Sequence, residues 1–351
     1  MKGFFNFRLF QGKISFLLEK RSLLVTLILL AAALLVFLLS VGLGDYPVSP
    51  FTVLSVIFGG GNKMEQLVVL DFRLPRILIA LLVGIGLAVS GAILQGIIRN
   101  PLASPDIIGV TGGASVAVVA FLAIFTNDNN VLTVSISWMP LAAFIGACIV
   151  AFLGYFLAWK NGVSPIRLVL IGIGISMLMQ ALTTLFMILG PIYQASQANI
   201  WITGTVHGSK WSDVTMLAPW TIILLILSLA ASRTLNLQEL GDDLAIAAGG
   251  RVQKQRFILL IISTALVGGA VAFAGGIGFV GLMAPHMARR LVGSSFGALI
   301  PVSAILGAIL VMVADLIGRT LFSPLEIPAG VFTAGIGAPY FIYLLYKTRN
   351  R

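Results

Sequence analysis

One cysteine, two histidines and a charged fraction of only 10% are what this 351-residue chain has least of, and each scarcity closes a class of function. Cys148 lies alone within an apolar stretch, so no intramolecular disulfide framework or cysteine metal cluster is available, and a packing role is expected of it. The chain has no Walker Gly-Lys-Ser/Thr loop, no His-Glu-x-x-His and no dinucleotide fingerprint. No catalytic residue, metal site or cofactor is therefore expected. An ordinary soluble domain carries about a quarter of its residues as charges, and this chain does not approach that. Its net charge of +10 is not gathered on one amphipathic face or tail. Lys and Arg sit instead at the ends of apolar runs, which points to orientation in a lipid bilayer rather than to nucleic acid.

Hydrophobic residues make up 59% of the chain and its mean hydropathy is +1.06. The composition predicts an all-α polytopic membrane protein. About 20 apolar residues cross a bilayer, and the run Leu23 to Leu43 is the first that qualifies. It is too long for a secretory h-region, and no small-residue cleavage site follows. Further spans are read at about 77–98, 107–125, 140–159, 168–190, 216–232, 257–275, 277–292, 298–318 and 330–346, ten in all. The runs near 107 and 277 are short and interrupted by Gly and Pro. With both termini in the cytoplasm, 17 of the 22 basic residues fall inside and only Lys63, Arg73, Arg76, Lys210 and Arg319 fall outside. That asymmetry satisfies the positive-inside rule. The expected organisation is a cytoplasmic segment 1–22, one transmembrane domain 23–346 and a cytoplasmic tail 347–351.

The stretch from Asp71 to Ala114 joins a basic lip, a Gly/Ala-rich span and a Pro-broken turn. Shifted forward by 184 residues it repeats weakly, with Leu82, Gly84, Ala88, Gly91, Pro101 and Gly109 among ten identities in 33 positions. On the ten-span topology the two copies run in opposite directions. Inverted repeats with broken spans in corresponding places are a transporter trait.

Few groups are suited to chemistry inside the membrane. Asp315 is the one intramembrane acid the reading singles out, and Arg319 follows it at i+4, so a local ion pair is expected. Ser176, Gln180, Thr183 and Thr184 fall at i, i+4, i+7 and i+8 of the fifth span and predict a polar stripe. That stripe faces either a passage or a neighbouring helix. The internal loop from Arg233 to Arg256 holds Leu240-Gly241-Asp242-Asp243-Leu244-Ala245 and ends at Gly249-Gly250. Its acids suit a first helical turn and its glycines a C-cap, so a short helix on the cytoplasmic face is expected.

Several motifs together resemble the permease subunits of the ABC importers that take up iron-siderophores, haem and cobalamin. They are Arg73-Leu74-Pro75-Arg76, Ser90-Gly91-Ala92 with Gln95-Gly96, Asn100-Pro101-Leu102-Ala103 with Pro105, and Leu240-Gly241 with Leu244-Ala245. Gly278 to Leu282 with Pro285-His286, and Glu326 to Gly330 through Gly337-Ala338-Pro339, complete the set. Ala329 departs from the Gly or Val common there. The resemblance implies two permease subunits, identical or related, around a passage, with two cytoplasmic ATPases and an extracytoplasmic solute-binding protein. It implies that Arg73, Arg76 and Arg319 dock the binding protein. It further implies that the 238–250 segment, with Leu240, Gly241, Asp242, Leu244, Ala245 and Gly249, couples to the ATPase. Ser176, Gln180, Thr183 and Thr184 would then face the translocation pathway. The solute expected is an iron-siderophore, imported across a bacterial cytoplasmic membrane by alternating access; cobalamin and haem are the alternatives within the family. An ion-coupled secondary transporter relying on Asp315 is the reading from another class, and a non-transporting scaffold is a third.

Overall fold

The computed structural model describes residues 4–9, 14–127, 131–160 and 162–348. Lys2, Lys13, Arg349 and Arg351, which enter the charge asymmetry, lie outside the described residues, as does the end of the 347–351 tail. The chain opens with an antiparallel hairpin, β1 (Phe4–Leu9) and β2 (Ile14–Glu19). The rest of the described secondary structure is helical, apart from isolated bridges.

Helix α1 (Lys20–Gly42) is followed by α2 (Pro50–Ile57) and α3 (Lys63–Gln66), then by a π-turn, Leu67–Arg73, that runs into α4 (Leu74–Ile98). Next come α5 (Val110–Ile124), α6 (Met139–Ala158), α7 (Pro165–Leu189) and α8 (Ile192–Thr203). The second half holds α9 (Trp211–Ala230), α10 (Ser232–Glu239), α11 (Asp242–Ala247), α12 (Val252–Ala274), α13 (Val280–Val292), α14 (Phe296–Thr320) and α15 (Ala329–Thr348). Proline at the first or second position starts α2, α4, α6 and α7, where its missing N–H costs nothing.

Among the described residues, eight helices are long and apolar enough to cross a membrane. The run expected near 107 is α5, a shorter apolar helix, and the run expected near 277 is α13, thirteen residues that end in Arg289 and Arg290 and fall short of the length and apolarity of a span. The repeat survives as a likeness of elements: a long helix, a turn and a short helix, α4 to α5 and α12 to α13. Its ungapped register does not carry over, because Gly91 lies inside α4 whereas Gly275 caps the end of α12.

Helix α4 is the centre of the fold. Its apolar window is 83% buried, against 11% for α1, and α9, α12, α13 and α14 all pack on it. Lipid supplies no hydrophobic drive between helices, so close backbone approach and interhelical hydrogen bonds hold them together. A Cβ at Gly84 would strike the Gly307 carbonyl of α14, and one at Gly91 the Gly281 carbonyl of α13. Between those contacts the Ser90 and Ser263 hydroxyls meet at 2.8 Å and tie α4 to α12.

Candidate transport site

At the end of the bundle that the charge asymmetry predicts to be the outer one, α4, α14 and the loop after α1 bring together the three arginines expected to face a partner. Arg73 is only 9% exposed. It donates to the carbonyls of Val41 (2.9 Å), Gly42 (3.0 Å) and Tyr46 (2.8 Å), and so braces the loop that follows α1. Arg319 donates to the carbonyls of Leu43 (2.8 Å) and Ser40. Its Nε lies 3.6 Å from Asp315, the i,i+4 pair foreseen. The dominant partner of Asp315 is nevertheless Arg76, whose Nε and Nη2 approach the carboxylate at 2.8–3.1 Å. Arg76 Nη1 reaches Glu326 at 2.9 Å, and His207 Nδ1 lies 2.6 Å from the same carboxylate. Burial by itself would raise the Glu326 pKa, but the charges of Arg76 and then His207 outweigh it and hold the carboxyl below its ordinary range. All three arginines are thus engaged within the chain; a picture of freely exposed docking charges does not describe them.

Level with the middle of α7 lies a group that sequence reading passed over. Arg99 ends α4 in the left-handed region (φ 56°), and the chain then climbs back through the Pro105–Ile108 turn. The carbonyl of Asp106 accepts from Ser176 Oγ at 3.2 Å. Ser176 lies eleven residues into α7, about 16 Å from its start. Asp106 is therefore a second acid set against the helix bundle, beside Asp315. Its carboxylate accepts from Thr111 Oγ1 at 2.8 Å, and its turn packs beside the start of α13, where a Cβ on Gly281 would lie 3.0 Å from Pro105 Cδ. A helix N-terminus is a favourable place for that charge. The available signal was an acid in a Pro-led turn just before a Gly-broken span.

The stripe on α7 divides. Gln180 and Thr184 are exposed, whereas Ser176 is partly buried against the Asp106 turn and Thr183 is buried. The Ser176 and Thr183 hydroxyls donate back to the carbonyls of Gly172 (2.8 Å) and Met179 (2.9 Å), which removes their need for a polar passage. Four positions spread over about 100° of a helix do not all clear the neighbour α5.

At the opposite end, the one expected to be cytoplasmic, the segment expected to couple forms α11. Gly241 precedes it at φ 115°, and Gly249 follows at φ 82°. The Gly249 and Gly250 N–H groups donate to the carbonyls of Ile246 and Ala245, both at 2.8 Å, the Schellman arrangement that the glycine pair foretold. Leu244 and Ile246 are each 60% exposed and Leu240 is 63% exposed, while Ala245 is buried. Asp242 points the other way, toward Arg99 and Arg256.

A family model, the FecCD transport family, matches residues 30–347, nearly the whole chain. The chain belongs to the FecCD transport family. Among its relatives is the "Probable siderophore transport system permease protein YfhA" of Bacillus subtilis, 59% identical over 95% of this chain and 97% of that one. The iron(3+)-hydroxamate import system permease protein FhuG of the same organism is 44% identical over 93% of this chain and 98% of its own. A solved transporter described as of the metal-chelate ABC type, in an inward-facing conformation, superposes with a TM-score of 0.82 at 32% identity. It covers 92% of this chain and 99% of that one. The FecCD member described here is thus a membrane-embedded transport permease. Membership implies ATPase and binding-protein partners in general terms.

Proposed function

We propose that this chain is the permease of an ABC importer that carries an iron-siderophore across a bacterial cytoplasmic membrane. The near full-length identity to permeases named for siderophore and hydroxamate uptake carries the reading. Two such permeases, identical or related, enclose the passage within their 23–346 domains, with the 1–22 segment and the 347–351 tail in the cytoplasm. Two separate ATPases hydrolyse ATP below, and an extracytoplasmic solute-binding protein delivers the solute above. Exposed apolar side chains on a cytoplasmic helix suit a protein partner, so Leu240, Leu244 and Ile246 of the 238–250 segment dock the ATPase, with Gly241 and Gly249 shaping the segment and Ala245 seating it. On the outer rim, Arg76 registers the binding protein beside the exposed His207 and Glu326. Arg73 and Arg319 act there through the loops they brace. Gln180 and Thr184 face the passage, and Ser176 and Thr183 hold its wall. Motion of the ATPases then alternates access between the two sides.

Deleting the chain from a bacterium with no second system of this type, and measuring uptake of a labelled ferric hydroxamate, tests the reading. Loss of ATP-dependent uptake, restored by the chain on a plasmid, is expected. Unchanged uptake, or rescue of labelled cobalamin or haem uptake instead, would remove the siderophore assignment.

A further inference from the structure

Helix α11 has six residues and only Ala245 among them is buried, at 1% exposure. Such a helix cannot transmit a push by packing. A different link is built beneath it. Asp242 Oδ1 accepts from Arg256 Nη2 at 2.9 Å and also from Arg99 Nη2. Arg256 is fully buried at the start of α12, and its Nη1 donates to the Val163 carbonyl in the connection between α6 and α7. The Val163 N–H in turn donates to Gln253 Oε1 at 2.9 Å. Arg99, at the left-handed end of α4, donates its Nε to the Gln238 carbonyl of α10 at 2.8 Å. The elbow at Gly241 is therefore gripped on both sides: by Arg99 on α10 and by two guanidiniums on the first residue of α11. Nearby, Arg289 of α13 meets Glu239 at 2.6 Å.

We propose that Asp242 is a positioning residue inside the permease, a strut that carries displacement of α11 to α4 through Arg99 and to α12 and the foot of α7 through Arg256, and not a contact with the ATPase. The inference rests on the reading of α11 as the ATPase dock. Charge-assisted hydrogen bonds are short and directional, so one carboxylate shared by two cations moves both. The neighbouring acid supplies the contrast: Asp243 occupies the same first turn, with the same benefit from the helix dipole, yet is exposed. Around the strut, the buried Gln238 side-chain amide makes no hydrogen bond among the described residues. A polar layer left incomplete in one arrangement is a layer that a second arrangement can complete.

The test uses the full importer, with permease, ATPase and binding protein, in proteoliposomes, and a labelled ferric hydroxamate as probe. In Asp242→Asn the ATPase co-purifies as in the parent and ATP turnover continues, while solute imported per ATP falls about fivefold or more. Asp243→Asn matches the parent. Should Asp242→Asn fail to insert, Arg99→Gln at the more exposed end of the strut lowers the same ratio. Combining Arg99→Gln with Asp242→Asn makes it no worse than Asp242→Asn alone. Leu244→Asp tests the dock itself and releases the ATPase. Loss of the ATPase from Asp242→Asn would make the residue a direct contact, and an unchanged import ratio would make it inert; either overturns the strut. Retention of the ATPase by Leu244→Asp would overturn the docking reading on which the strut rests, whatever Asp242→Asn does.

Discussion

The two ends of this permease use arginine in opposite ways. At the outer end, Arg73 and Arg319 spend most of their donors on backbone carbonyls of the 40–46 loop, and Arg76 and Arg319 converge on Asp315, which is 3% exposed. At the other end, Arg99 and Arg256 meet on Asp242, whose side chain is 36% exposed, at the start of a helix that leaves Leu244 and Ile246 exposed. The first arrangement fixes a loop against a helix bundle. The second joins a short helix to three long ones across a glycine elbow. Each shared carboxylate takes two arginines; the depth of that carboxylate and the rigidity of what it joins distinguish a brace from a linkage.

The sharpest way to break this comparison is at the outer carboxylate. Asp315→Asn leaves Arg76 and Arg319 without their common counter-charge in a buried site and should cost about 3–5 kcal/mol, read as a large fall in unfolding temperature of the detergent-purified protein. Asp242→Asn should cost less, since water can reach its carboxylate; equal losses would erase the distinction. Next in size, Arg73→Gln removes charged donors from three carbonyls and should cost about 2 kcal/mol, with faster proteolysis confined to the 41–46 loop. Within the bundle that separates the two ends, Ser263→Ala deletes the tie between α4 and α12. A loss of about 0.6 kcal/mol is expected, and a loss several times larger would mean that α4 is held by polar glue rather than by glycine contacts.

The smallest effect is the pH response of Glu326. Its folded pKa is depressed, so the stability it adds is present above the unfolded value of about 4.3 and is lost as pH falls through the lower folded value. Hydrogen-exchange protection of residues 321–328 should therefore stay level from pH 8 to pH 5 and drop only below the usual carboxylate range. A drop already above the usual carboxylate range would contradict the depression of the Glu326 pKa.

Much of the bundle was legible in the sequence because crossing a bilayer demands long apolar runs, and eight of the ten runs counted are such helices. Even the two short helices were visible, since Gly and Pro mark where a backbone breaks. The glycine pair at 249–250 announced its C-cap for the same local reason. What stayed hidden depends on distance along the chain. Arg76 meets Asp315 and Glu326 across 239 and 250 residues, and no periodicity encodes such a meeting. Asp106 looked like a loop residue because the climb of the 99–109 segment back to the depth of Ser176 is a tertiary event. The stripe on α7 was correctly placed on one arc, but the edge of α5 divides it. The inward turn of Asp242 was equally invisible, since its partners come from the ends of two other helices.

The turn that carries Asp106 has a consequence for how such a chain can change over generations. The Pro105 ring of that turn and the Leu87 carbonyl of α4, both in the first copy of the repeat, each stand 3.0 Å from where a Cβ on Gly281 of the second copy would lie. A side chain added at Gly281 therefore meets the first half, and one added at Gly91 meets the Gly281 carbonyl of the second. The two halves are in this respect inherited as one unit: either can diversify its lipid-facing surface freely, but the position where they meet is open to neither alone.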